Sequence, residues 1–192
     1  MALLAARALA VAQGTKGLTA RNIAAEIGYS PGTPYNVFKD LDDIVVQLNA
    51  RTLDELYDVL RDLPPNGDPE TGVLEIARAY IGFVRSHPRL WNVLFEHNMP
   101  EGRKLPDWYY ERVQRLLGLV SKALTPLFAA NEHKQRDHSA RVLWSATQGI
   151  SALAGVGKLA QAESVDGLLR ALITYHVRGL RASAEHPDFE TA

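Results

Sequence analysis

The stretch LTARNIAAEIGYSPGTPYNVFKDLDDIVVQL, residues 18–48, decides the reading of this chain. Thr19 has the short hydroxyl side chain of an N-cap, and Ile23, Ala24 and Ile27 then place one apolar stripe on a short helix. Gly28 stands where a helix is stopped by a left-handed residue, and Tyr29 is the apolar turn residue after it. Ser30 is placed to cap a second helix, with Pro31 at its first position, where a missing N–H costs little. That helix would carry Gly32, Thr33, Tyr35, Asn36 and Lys39 around the apolar anchors Val37 and Phe38. Two short helices joined by so tight a turn bury little by themselves. They make sense as a device that presents the second helix to the major groove of DNA.

Thr19, Ile23-Ala24, Gly28, Ser30-Pro31-Gly32-Thr33, Tyr35, Phe38 and the acidic pair Asp42-Asp43 before Ile44 resemble the DNA-binding domain of TetR/AcrR-type repressors. The run S-P-G-T-x-Y-x-x-F carries most of that resemblance, which covers about the first quarter of the chain. It implies an all-α protein of about nine helices: a three-helix head over residues 1–45 and a ligand-binding and dimerisation domain over 46–192. Thr33 and Asn36 have the short polar groups that reach base edges, and Gly32 lets the backbone approach closely. Tyr35 and Lys39 suit phosphates, as do the caps Thr19 and Ser30, and the family's contacts place Arg21 within reach of a guanine edge.

This sequence departs from the family pattern at two positions of the head. Pro34 stands where the family has Leu or Ile, deletes an intrahelical hydrogen bond and pushes Thr33 away from helical geometry. A distorted or 3₁₀ start to the reading helix is therefore expected. Leu41 stands where the family has a phosphate-gripping Lys, which removes about one counterion of salt dependence per subunit. The resemblance also implies a short basic arm ahead of the first helix, and residues 1–6 carry no Lys or Arg. In residues 1–50, Arg7, Lys16, Arg21 and Lys39 are balanced by Glu26, Asp40, Asp42 and Asp43, and the whole chain has a net charge of −1. No basic field draws it to nucleic acid, so binding has to rest on few, salt-sensitive contacts.

Outward from the head, helical periodicity covers nearly the whole of the 192 residues, and no alternation of period two is sustained. In the opening segment MALLAARALAVAQG, Leu4, Ala8 and Val11 are expected to face the helix-turn-helix. The segment is too short to span a membrane, and Arg7 interrupts any signal-peptide core. A long helix from Leu41 to Leu63 carries Ile44, Leu48, Leu53, Leu56 and Leu60 on one side before the break PPNGDPETG at 64–72. Further helices are expected near 73–85, from Pro88 through Phe95, from Asp107 to about Ala130 with Pro126 ending or kinking it, and over about 135–160 and 165–181. A link at QAES (161–164) and a fraying tail at 185–192 complete the pattern.

The segment ARAYIGFVRSHPRLWNVLF and the later Trp144–Gly149 resemble a TetR subgroup with a Trp-x-x-x-His-Gly signature, in which Gln148 here takes the His position. Phe83, Trp91, Phe95, Leu116, Trp144 and Gln148 are the candidate lining of a pocket for an apolar or amphipathic small molecule. Plain core packing is the other reading of aromatics at helical spacing. Small and branched apolar residues at Val142, Gly149, Ile150 and Leu153, and at Leu169, Leu172 and Ile173, suit close helix packing between two subunits of a homodimer.

Chemistry-bearing constellations are lacking. His133 and His138 have neither metal spacing nor a third ligand nearby, and no P-loop, dinucleotide fingerprint or nucleophile elbow occurs, so neither enzyme nor cofactor is expected. The absence of cysteine excludes disulfides and fits a cytoplasmic protein. The expectation is a ligand-responsive regulator, most simply a repressor, that binds a pseudo-palindromic operator in double-stranded DNA as a homodimer. The alternative is an all-α small-molecule or partner-binding module whose helix-turn-helix no longer binds DNA.

Overall fold

The computed structural model describes residues 1–159 and 164–185. Residues 161–163 of the expected link at 161–164, and the tail beyond Glu185, lie outside the described residues. Among the described residues the chain is helical throughout, with eight α-helices and three short 3₁₀ turns. The helices are α1 (Ala2–Gln13), α2 (Ala20–Glu26), α3 (Leu41–Arg61), α4 (Pro69–Ser86), α5 (Pro88–Glu96), α6 (Asp107–Leu124), α7 (His133–Gly155) and α8 (Val165–Glu185). A 3₁₀ turn over Thr33–Asn36 takes the place of the expected ninth, the reading helix. Pro126 ends α6 in a second 3₁₀ turn, Thr125–Leu127, because its ring cannot continue the α-helical ladder.

The chain divides into two compact units. The first comprises Met1–Leu56 and Val84–Val113, so α5 shares a unit with the helix-turn-helix. Its core joins Ala6, Leu9, Ile23, Phe38, Ile44, Leu48, Leu90 and Val93. The face of α1 that packs into this core is Ala5, Ala6, Leu9 and Ala10, with Leu3 partly buried beside it. The expectation for Leu4, Ala8 and Val11 is corrected: Leu4 and Val11 are 64% and 47% exposed, and Ala8 faces solvent. The helix is apolar nearly all round, which blurs its periodicity, and the alanines win the buried side because their small side chains allow close approach. Arg89 of α5 donates to the Ala12 carbonyl, and the Thr15 hydroxyl donates to Glu96 at 2.6 Å, tying α5 to the end of α1.

The second unit comprises Tyr57–Phe83 and the chain from Gln114 onward. Tyr80, Leu116, Leu124, Leu143, Leu169, Ile173 and Val177 are all 2% exposed or less and form its interior. At the polar margin, Asp166 in the first turn of α8 accepts from Arg78 at 2.6 Å and from Arg170 at 2.8 Å. These two guanidinium hydrogen bonds hold its carboxyl well below the usual carboxylate range. Ser139 of α7 and His176 of α8 share a 2.6 Å hydrogen bond, and burial of the imidazole pushes its pKa down.

Candidate nucleic-acid interface and effector site

The helix-turn-helix begins as its sequence dictates. Thr19 has extended backbone, and its Oγ1 accepts the Asn22 amide at 3.1 Å. Gly28 has φ +75°, which only a glycine adopts at little cost, and reverses the chain after α2. The Tyr29 amide then donates to the Ala24 carbonyl at 2.9 Å and the Gly28 amide to Ala25 at 3.1 Å, the paired bonds of a Schellman stop.

The reading element differs from expectation. Thr33 and Tyr35 donate to carbonyls three residues back, Ser30 and Gly32, at 3.0 and 3.1 Å. Pro34 lacks the N–H that an α-helix would direct to Ser30, so the segment closes in 3₁₀ fashion. Ser30 is corrected as a cap: its Oγ pairs with Thr33 Oγ1 at 3.2 Å, and Gly32 occupies the cap position with no side chain to offer. Pro34 and Phe38 anchor the turn in the core, whereas Val37, expected as a second anchor, is 79% exposed. A four-residue 3₁₀ turn has too few turns to bury a full stripe, and Phe38 takes the core position. Tyr35, Asn36, Val37 and Lys39 all face solvent, as do Arg21 and Gly32, while Thr33 is half-buried. A Cβ built at Gly32 would meet nothing within 4 Å, so the backbone there is open to an approaching partner.

The acids after the turn are not bare. Asp40 Oδ1 accepts the Asp43 amide at 2.8 Å and caps α3, while Arg103 donates to Asp40 Oδ2 at 2.6 Å. That guanidinium bond, with the Asp43 amide, holds the Asp40 carboxyl below its ordinary range. Asp42 lies 2.9 Å from His97 Nε2 and 3.5 Å from Arg103. The segment after α5 thus sets the Arg103 guanidinium and the His97 ring against the acidic start of α3. No sequence signal could have found Arg103, because the pairing spans 63 residues and is made by the fold. Leu41, the departure from the family's Lys, packs partly buried against the core.

The six candidate effector residues fall into different settings. In the first unit Trp91 is 3% exposed and its ring lies tilted, 5.6 Å between centroids, against Phe95, which is 54% exposed. Trp91 is a core residue and Phe95 a surface one. In the second unit Phe83 and Leu116 are core residues. Trp144 is half-buried, lies 4.9 Å from the Tyr80 ring, and lines a cavity of about 20 Å³ with Val73, Ile76, Ala77, Val120, Leu143 and Thr147. The Tyr80 hydroxyl donates to Gln148, so Gln148 supplies an acceptor beside this cavity. Such a space holds about one water molecule. Sequence reasoning missed Val73, Ile76, Leu143 and Thr147 because their helical spacing also fits plain core.

A wider open groove of about 430 Å³ lies in the first unit between Gln47, Ala50, Trp108 and Arg112. The Arg112 guanidinium lies 5.1 Å over the Trp108 ring and donates to Asp54 at 3.1 Å.

Of the candidate dimer residues, Val142 and Leu153 are 41% and 47% exposed, Gly149 is exposed, and Ile150 and Leu172 are half-buried. Leu169 and Ile173 are corrected: each is 1% exposed within the single chain and serves its own core. Tyr175 on α8, 71% exposed, and Val156 just past the end of α7, 64% exposed, add apolar surface.

A capped helix, a glycine stop and an exposed turn, followed by an all-helical body, define a helix-turn-helix regulator. Residues 2–48 match the family model of bacterial regulatory proteins of the tetR family, and residues 73–175 match that of the tetracyclin repressor-like C-terminal domain. The chain belongs to the TetR family of transcriptional regulators. No curated protein matches it. Among solved structures, a protein of unknown function from Rhodococcus sp. RHA1 has a TM-score of 0.72 at 21% identity, over 94% of this chain and 93% of that one. The TetR family transcriptional regulator PfmR from Thermus thermophilus has a TM-score of 0.60 at 14% identity, over 92% and 97%. A TetR variant from Acinetobacter baumannii AYE in complex with minocycline has 0.61 at 16% identity, over 97% and 95%. At these identities the likeness is one of fold.

Proposed function

We propose that this DNA-binding regulator is a cytoplasmic, ligand-responsive repressor that binds a pseudo-palindromic operator as a homodimer and leaves it when a small molecule binds. Residues 1–45 act as the DNA-binding head and 46–192 as the effector and dimerisation part. The observation that carries this reading is the turn itself: Tyr35, Asn36, Val37 and Lys39 are presented to solvent on a backbone anchored by Pro34 and Phe38. Asn36 is the base-edge contact, and Tyr35, Lys39, Thr19 and Arg21 hold phosphates and flanking positions. Two such turns, one per subunit, meet successive major grooves about 34 Å apart.

The minocycline complex of the Acinetobacter protein supports a small-molecule effector. In this chain the effector enters beside Trp144 and Tyr80, where Gln148 offers the polar contact. A cavity of about 20 Å³ requires Trp144 to move for entry, so the effector selects an open state of the body over the closed one. The test is a mobility shift against the DNA flanking its own gene at low and moderate salt, repeated with apolar and amphipathic compounds. Binding that weakens with salt and is reversed by a compound that quenches Trp144, but not a Trp144→Phe variant, supports the reading. No duplex bound at low salt would leave the chain a helical small-molecule module.

A further inference from the structure

We infer that Val37 is a specificity residue that packs against a thymine methyl group, so that with Asn36 the reading turn selects A·T pairs. This rests on the DNA-binding reading above. Val37 is 79% exposed, although it sits one residue before the buried Phe38 on a turn whose backbone is held by hydrogen bonds to the Pro34 carbonyl at 3.2 and 3.1 Å. Scattered exposed valines are ordinary on protein surfaces. This one lies between Asn36 and Lys39 on the segment offered to the major groove, where the apolar feature of a base edge is the thymine methyl.

The neighbours narrow the choice. Residues 30–39 contain no Arg, so the turn lacks the planar fork that reads guanine. Thr33 is half-buried with its hydroxyl directed to Ser30. With Tyr35 and Lys39 assigned to phosphates and Arg21 of α2 to a flanking position, Asn36, whose amide matches adenine N6 and N7, and Val37 are the exposed side chains of the turn left to discriminate. Consecutive Cα atoms are about 3.8 Å apart. Bases along one strand rise by about 3.4 Å. Successive side chains on a 3₁₀ turn diverge by about 120°, so Asn36 and Val37 reach different base pairs. Val has a stiff, branched side chain that loses little rotamer freedom on contact.

The experiment selects bound duplexes from a random pool and then replaces each thymine in the selected half-site, one at a time, by deoxyuridine, which removes only the methyl. One position should weaken wild-type binding about fourfold per half-site, the worth of one buried methyl. Val37→Ala, tolerated by the fold at an exposed position, should bind both duplexes alike, whereas Asn36→Ala should keep the methyl sensitivity and lose adenine preference. Selected half-sites without thymine, wild-type binding indifferent to every deoxyuridine, or a Val37→Ala variant that still senses the methyl would each overturn this inference and leave the repressor reading intact. Failure to bind any duplex at low salt would overturn both.

Discussion

Arg103 bonds Asp40, the residue after Lys39, at 2.6 Å and stands 3.5 Å from Asp42. Arg103→Ala should expose both carboxylates to the DNA backbone and weaken binding to all sequences alike, with the deficit shrinking as salt screens it. A binding series at three ionic strengths checks this, and a variant indistinguishable from wild type at low salt would refute it. His176 carries a different message. Burial lowers its pKa from the ordinary 6.5, so the folded state favours the neutral ring that bonds Ser139. The unfolded chain binds the extra proton first, so this contribution is present above pH about 6.5 and is lost as pH falls below it. The melting temperature of wild type should therefore drop between pH 7.5 and 5.5 by more than that of His176→Asn; parallel curves would contradict the assignment.

The elements show where a short sequence rule is reliable and where a neighbour overrides it. The cap at Thr19 and the stop at Gly28 depend on groups within a few residues, so they could be read directly. The reading element was written in the sequence as a helix with a flaw at Pro34, and the flaw governs four residues of it. Pro34→Leu would restore an N–H able to reach the Ser30 carbonyl and let the turn become α-helical. Going from about 120° to about 100° per residue rotates Asn36 by roughly 60° relative to Thr33. The variant should thus select a different base sequence, and duplex selection returning the wild-type consensus would argue against the rotation. In α1 the rule failed for a different reason. An apolar helix has no single stripe, and only packing shows that Ala6 and Ala10, both 0% exposed, lie inside.

At the scale of the whole molecule the apolar surface left on α7 and α8 matters most. Val142, Gly149, Leu153 and Tyr175 are exposed, and a Cβ at Gly149 would meet nothing within 4 Å. Gly149→Arg should therefore leave the subunit folded while burying an unpaired charge in a dimer contact. Light scattering should report a monomer with a circular dichroism spectrum like wild type, and DNA affinity should fall with the loss of the second head. A wild-type monomer at micromolar concentration, or a dimeric Gly149→Arg, would sink the homodimer. Sequence alone determined the all-α class, the starts of the helices at Leu41, Pro88, Asp107 and Val165, and the family, because periodicity, caps and the S-P-G-T-x-Y-x-x-F run are local and carried by consecutive residues. The tertiary structure alone decided which apolar side chains are core and which are surface: Leu169 and Ile173 inside, Val37 and Phe95 outside. It also decided that Arg103 would meet Asp40, and that the space beside Trp144 would be about 20 Å³. Burial and long-range ion pairing depend on which helix faces come together, and a one-dimensional pattern of apolar and charged residues leaves that choice degenerate.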